Sequence, residues 1–126
     1  MTPPPESPHK GKTGLTRVWN ALFYSVDGIK AAYHHEDAFR QEVLIALVLL
    51  PVAAFMPTTG IGKALLVGSV LLVLIVELVN SAVEATVDRI SLENHRLAKR
   101  AKDIGSAAVL LSLGNVVIVW GLVLFG

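Results

Sequence analysis

The sequence predicts an all-α membrane protein, with an N-terminal amphipathic surface helix and three membrane-spanning helices. Of its 126 residues 53% are hydrophobic and 17% charged, and the mean hydropathy is +0.61. The length allows one domain, and the apolar share exceeds that of ordinary globular chains. The charges are also segregated: none falls in 43–62, none in 64–76, and none after Asp103. A spanning helix needs about 20 apolar residues, and those gaps supply three.

The first residues, "MTPPPESPHKGKTG", are too polar and proline-rich for a signal peptide, and 1–14 reads as a disordered cytoplasmic head. From Leu15 to Ala38 the pattern changes. Val18, Leu22, Ile29 and Tyr33 fall near helical spacing while Arg17, Asp27 and Lys30 occupy other faces, as in a helix lying on a membrane surface. Trp19, Tyr24 and Tyr33 suit the headgroup level, where an apolar ring keeps a polar tip wet. Gly28 is a candidate break in this helix.

The single membrane-embedded domain then runs over 15–126, with spans near 43–60, 62–87 and 104–125. Pro51 is tolerable inside the first span, because neighbouring groups in a membrane helix can satisfy the freed carbonyl. Five of the eleven basic residues precede span one, five lie between spans two and three, and only Lys63 separates spans one and two. The positive-inside rule therefore puts the N-terminus and the 88–103 loop in the cytoplasm and the C-terminus outside. Ser91 is a possible N-cap in that loop. Small residues, Ser81, Ala82 and Ala85 in span two and Ser106, Ala107, Ala108 and Ser112 in span three, permit close helix approach and self-association. Cysteine is absent, which excludes a disulfide frame or thiolate chemistry. A net charge of +1 with no basic aromatic run argues against nucleic-acid binding.

Span two carries the anomaly. In "LIVELVNSAVEATVDRI", residues 74–90, Glu77, Asn80, Glu84 and Asp88 recur at helical spacing on one face. Counting about 20 residues from Ala64 puts the boundary near Ala82 to Glu84. Glu77 then lies about 10 Å deeper than Glu84. A carboxylate at that depth costs a few kcal/mol unless paired, hydrated or protonated. One such residue could be a neutral interhelical hydrogen-bonding group. Here Asn80 adds an amide between acids, and Glu36, Asp37 and Glu42 precede span one at similar depth. A buried carboxyl suits a general base, interfacial carboxylates suit a hard cation such as magnesium, and Lys102, Arg100, Lys99 and Arg17 suit phosphate. These are the parts of a phosphoryl-transfer site, with a lipid as acceptor because the base lies in the bilayer.

No P-loop is present: "GKT" at 11–13 would need glycine where Glu6 stands, and "GIGKA" at 60–64 would need it where Pro57 stands. "HHED" at 34–37 reads as solvated histidines, with Glu36 kept apart as a candidate ligand.

The stretches "FRQE" (39–42), "IVELVNSAVEATVDRI" (75–90) and "ENHRLAKRAKDIGSAAVL" (93–110) resemble the prokaryotic diacylglycerol kinase family. The similarity runs from about Thr13 to Val119, and the ExxNSxxExxxD pattern followed by AKD is highly specific. The resemblance implies a homotrimer in the bacterial inner membrane, with active sites between subunits at the cytoplasmic face. It implies phosphorylation of diacylglycerol to phosphatidic acid with Mg2+ and ATP. Glu77 would be the catalytic base and Asn80 its supporting partner, and Glu36 and Glu84 would hold the metal of the nucleotide. Arg17, Tyr24, Glu93, Asn94, His95, Lys102 and Asp103 would contact ATP, as would the two metal-binding acids. The lipid would be met by Arg17, by Ala21, Leu22, Phe23, Tyr24, Ser25 and Val26, by Ala38, Phe39, Arg40, Gln41 and Glu42, and by Glu77 and Ser106. Asp27 departs from the basic residue common in relatives, and His34 and His35 are outside the motif.

Two other functions stand beside this one. Undecaprenol is the alternative acceptor within the family, although "EDAFRQE" and "KDIGSAAV" look more like the diacylglycerol branch. A small proton-coupled transporter would use a buried glutamate as proton carrier, but leaves the polar loop from Asp88 to Asp103 without a task.

Overall fold

A computed structural model describes residues 13–90 and 96–126 as four helices: α1 (Gly14–His35), α2 (Asp37–Phe55), α3 (Gly60–Ile90) and α4 (Arg96–Phe125). Ser91 and the expected head lie outside the described residues, apart from Thr13 and Gly14 at its end. The chain divides after Ala31, so that most of α1 forms one unit and α2 to α4 belong to the other.

Within the first unit, Trp19 and Phe23 meet edge to face at 5.2 Å and the Ser25 hydroxyl donates to the Ala21 carbonyl at 2.8 Å. α1 runs unbroken through Gly28, contrary to the expectation of a break. A single interior glycine costs a helix only about 1 kcal/mol relative to alanine, which the flanking residues offset.

In the second unit, α2 begins at Glu36, whose extended backbone (φ −116°, ψ 109°) makes it the N-cap residue, without a side-chain capping bond. Asp37 in the first turn suits the positive end of the helix dipole. The Arg40 guanidinium donates to the carbonyls of Tyr33 and His34, both at 2.8 Å, and pairs with Asp37. It thereby satisfies acceptors left open at the end of α1. α2 continues through Pro51 but stops at Phe55, short of the expected limit near 60. The cause is local: Met56 precedes Pro57 and takes the extended backbone (φ −66°, ψ 141°) that a following proline imposes. α3 starts at once, since Thr59 Oγ1 accepts from Gly62 N at 3.0 Å as an N-cap.

α2, α3 and α4 are each long and apolar enough to cross a membrane. α3 packs against both others, more extensively against α4. Its buried stripe of Leu66, Val70, Val73 and Glu77 follows the period of a helix face. On α2 the buried residues are Phe39, Ala46 and Ala53, spaced by seven as in a coiled-coil seam. A polar crosslink joins α3 to α4, where Trp120 Nε1 donates to Ser69 Oγ at 3.1 Å and Ser69 Oγ donates to the Leu66 carbonyl at 2.8 Å. Many outward residues, including Leu47, Leu65, Leu111 and Leu122, remain exposed, as lipid-facing or self-associating surfaces require.

Candidate functional site

Glu77 occupies a place in the α3 stripe where periodicity calls for an apolar residue, and it is only 5% exposed. Exposure then rises along the same face: Asn80 and Glu84 are half-buried and the Asp88 side chain is 51% exposed. The row of acids therefore runs from the packed interior to the polar end of the helix. Asn80 Nδ2 donates to Glu84 Oε1 at 3.4 Å, one turn away.

Glu42, from α2, faces Glu77 within hydrogen-bonding reach. Glu42 Oε2 is nonetheless buried with no hydrogen-bond partner. Two carboxylates cannot donate to each other, so their contact is complementary only when a proton or an outside donor lies between them. Asn80 Oδ1 is also buried without a hydrogen-bond partner. Buried polar atoms are normally satisfied, so two orphan acceptors flanking Glu77 mark this part of the bundle as built for something besides stability.

An apolar groove of about 240 Å³ opens beside Glu42. Ile45 and Leu49 of α2, Val70 and Leu74 of α3 and Val117 of α4 are among its walls, and Glu42 is the only charged residue in its lining. The groove is an apolar bed with a carboxyl at its edge.

At the polar end of the bundle, Lys102 Nζ of α4 stands 2.7 Å from Asp88 Oδ1 of α3 and also feels the negative charge of Glu84. Asp103 pairs instead with Lys99, at 2.6 Å on the exposed side of α4. Lys102 and Asp103, adjacent in sequence, thus point to different partners.

The second unit brings together Glu42, Glu77, Asn80, Glu84 and Lys102. Glu36 stands at the head of α2, Phe39 is buried, Arg40 is half-buried and committed to its cap, and Ala38, Gln41 and Ser106 are exposed. Arg17, Ala21, Leu22, Phe23, Tyr24, Ser25 and Val26 lie on α1 in the first unit. Glu93, Asn94 and His95 lie outside the described residues. Among the described residues no three histidine, aspartate or glutamate side chains converge as a ready-made metal cage. Glu36, at the head of α2, and Glu84, half-buried on α3, each carry a hard carboxylate oxygen donor. Such a small set of hard oxygen ligands matches magnesium, which is usually held by one or two carboxylates and by substrate phosphates.

Sequence reasoning missed the pairing of Glu42 with Glu77 and of Lys102 with Asp88, because both join residues far apart in the chain. It also passed over Gly105, although its small size within "KDIGSAAV" was a usable signal.

Residues 23–124 match the sequence model of a family described as prokaryotic diacylglycerol kinase. Among curated proteins, a diacylglycerol kinase of Pseudomonas aeruginosa is 52% identical over 120 residues, covering 95% of this chain and 98% of the relative. One from Haemophilus influenzae is 50% identical, covering 90% and 96%. One from Escherichia coli K12 is 48% identical, covering 90% and 93%.

Proposed function

The chain belongs to the prokaryotic diacylglycerol kinase family, and from that premise we propose that it phosphorylates diacylglycerol to phosphatidic acid, with ATP as donor, at the inner membrane. The observation that carries the reading is Glu77, a carboxyl only 5% exposed in the middle of a spanning helix. A soluble kinase has no need of a base at that depth. An enzyme whose acceptor hydroxyl is anchored in a bilayer does, because the alcohol cannot leave the membrane to react.

Each part of the site has a task in direct phosphoryl transfer. Glu77 accepts the proton of the lipid hydroxyl as the phosphoryl group arrives. Asn80 supports the acids on either side of it along α3. The apolar groove beside Glu42 offers a bed for part of a lipid tail. Lys102 holds phosphate oxygens, exchanging its Asp88 partner for the nucleotide. Glu36 and Glu84 would hold Mg2+, which when bound neutralises developing charge on the phosphates. Arg17, Tyr24 and Asp103 complete the nucleotide contacts by family pattern, with Glu93, Asn94 and His95 from the loop. The lipid contacts on α1 and at 38–42 follow the same pattern.

The active unit is a homotrimer, supported by the small residues on α3 and α4 and by the apolar surface that a single copy leaves uncovered. The basic residues flanking the spans support an N-terminus and a loop at 88–103 in the cytoplasm, with the C-terminus on the far side.

Purified protein in detergent micelles, given ATP and Mg2+, should consume ATP only when diacylglycerol is added. Consumption with undecaprenol but not diacylglycerol would move the substrate to the other branch of the family, and no lipid-dependent consumption would remove the kinase reading.

A further inference from the structure

Three glycines, Gly105, Gly114 and Gly121, lie in α4, and only at the first is the missing side chain needed for packing. A Cβ added at Gly105 would stand 2.0 Å from Asn80 Oδ1 and 3.1 Å from Asn80 Cγ, and the third nearest atom, at 4.0 Å, is Asn80 Cβ. At Gly114 and Gly121, on the same helix, a Cβ would meet nothing within 4 Å. The bare backbone of Gly105 is therefore the seat of the Asn80 carboxamide. Its oxygen, which has no hydrogen-bond partner, is sealed against α4 there, while its nitrogen donates to Glu84 Oε1 at 3.4 Å. A reversed amide would set its oxygen against the Glu84 carboxylate, so Glu84 fixes which end meets Gly105.

We infer that Gly105 is a positioning residue for the phosphoryl-transfer site: by presenting no side chain from α4 it allows Asn80 the rotamer that holds Glu84, one turn along α3, in place. The inference rests on the reading of Glu84 as a metal-holding acid. The carboxamide is the far end of a short side chain, so the response to a new methyl group is rotation of Asn80 rather than movement of α3. Rotation breaks the bond to Glu84 and frees its carboxylate. Residues that orient a metal ligand in this way are commonly worth about 10- to 100-fold in metal affinity.

The test compares Gly105→Ala, Asn80→Ala, the double variant, Glu84→Gln and Gly114→Ala in micelles. Two readouts are taken: the Mg2+ concentration for half-maximal activity, and binding of Mn2+ with a non-hydrolysable ATP analogue, followed by loss of the free-ion electron paramagnetic resonance signal. Gly105→Ala should raise both midpoints about tenfold or more, Asn80→Ala should do the same, and Gly114→Ala should change neither. The double variant should match Asn80→Ala alone, because truncation at Asn80 removes the two atoms that a Cβ would crowd. If the two effects add, Gly105 acts through helix packing and the inference is overturned. If Gly105→Ala fails to fold, the double variant should fold; its failure would overturn the inference as well. A rise in Asn80→Ala with none in Gly105→Ala overturns the inference alone, whereas unchanged midpoints in both Asn80→Ala and Glu84→Gln overturn the metal reading and the inference together.

Discussion

Lys102 Nζ stands 2.7 Å from Asp88 Oδ1, so a cation of α4 closes over the polar end of the acidic row on α3. Both side chains remain about half exposed, 42% and 51%, so the pair is available for exchange rather than locked in a core. A phosphate arriving beside Glu84 would find a lysine already aimed at that end of the site.

Lys102→Ala should therefore lose far more kinase activity than Lys99→Ala, by at least about tenfold, since a charged group on a phosphate is worth roughly 1.5 to 3 kcal/mol. Lys99 pairs with Asp103 on an exposed face, where such bridges contribute little. Steady-state assays at saturating lipid with varied ATP check this. Equal losses would mean that a diffuse basic surface, not Lys102, meets the nucleotide.

Glu84→Gln and Glu36→Gln should each weaken the use of Mg2+ and ATP while leaving a folded oligomer. Titration of Mg2+ at fixed ATP, with size-exclusion chromatography as the control for assembly, is the measurement. An unchanged Mg2+ requirement in either variant would remove that residue from the metal site.

The crosslink between Trp120 and Ser69 makes a prediction about stability alone. Trp120→Phe removes the donor to Ser69 Oγ but keeps an aromatic body, and Ser69 keeps its own acceptor at Leu66. Hydrogen bonds between membrane helices average about 0.6 kcal/mol, so unfolding in mixed micelles should shift by about that amount, and by no more than about 2 kcal/mol, with activity retained. Loss of activity without loss of stability would give this bond a role in the reaction.

Much of this was legible in the sequence because the bilayer is a strict solvent. The gaps in charge gave three spans, and the spacing of Glu77, Asn80, Glu84 and Asp88 gave one polar face, since both depend only on short-range periodicity. The end of α2 was less legible: the apolar run continues past Phe55, but Pro57 imposes an extended backbone on Met56. Pairings between helices were not legible at all. Nothing in "FRQE" says that Glu42 faces Glu77, and nothing in "KDIGS" says that Gly105 is where Asn80 packs, because both follow from the relative rotation of packed helices.

The most direct test of the account is Glu77→Gln, assayed for phosphorylation of diacylglycerol beside the parent protein. The substitution keeps shape and hydrogen-bonding capacity but cannot accept a proton from the lipid alcohol. The variant should fold, assemble and bind ATP but turn over at least about a hundredfold more slowly, within the usual contribution of a general base. Turnover near the parent rate would show that Glu77 is not the base and that its burial serves structure alone.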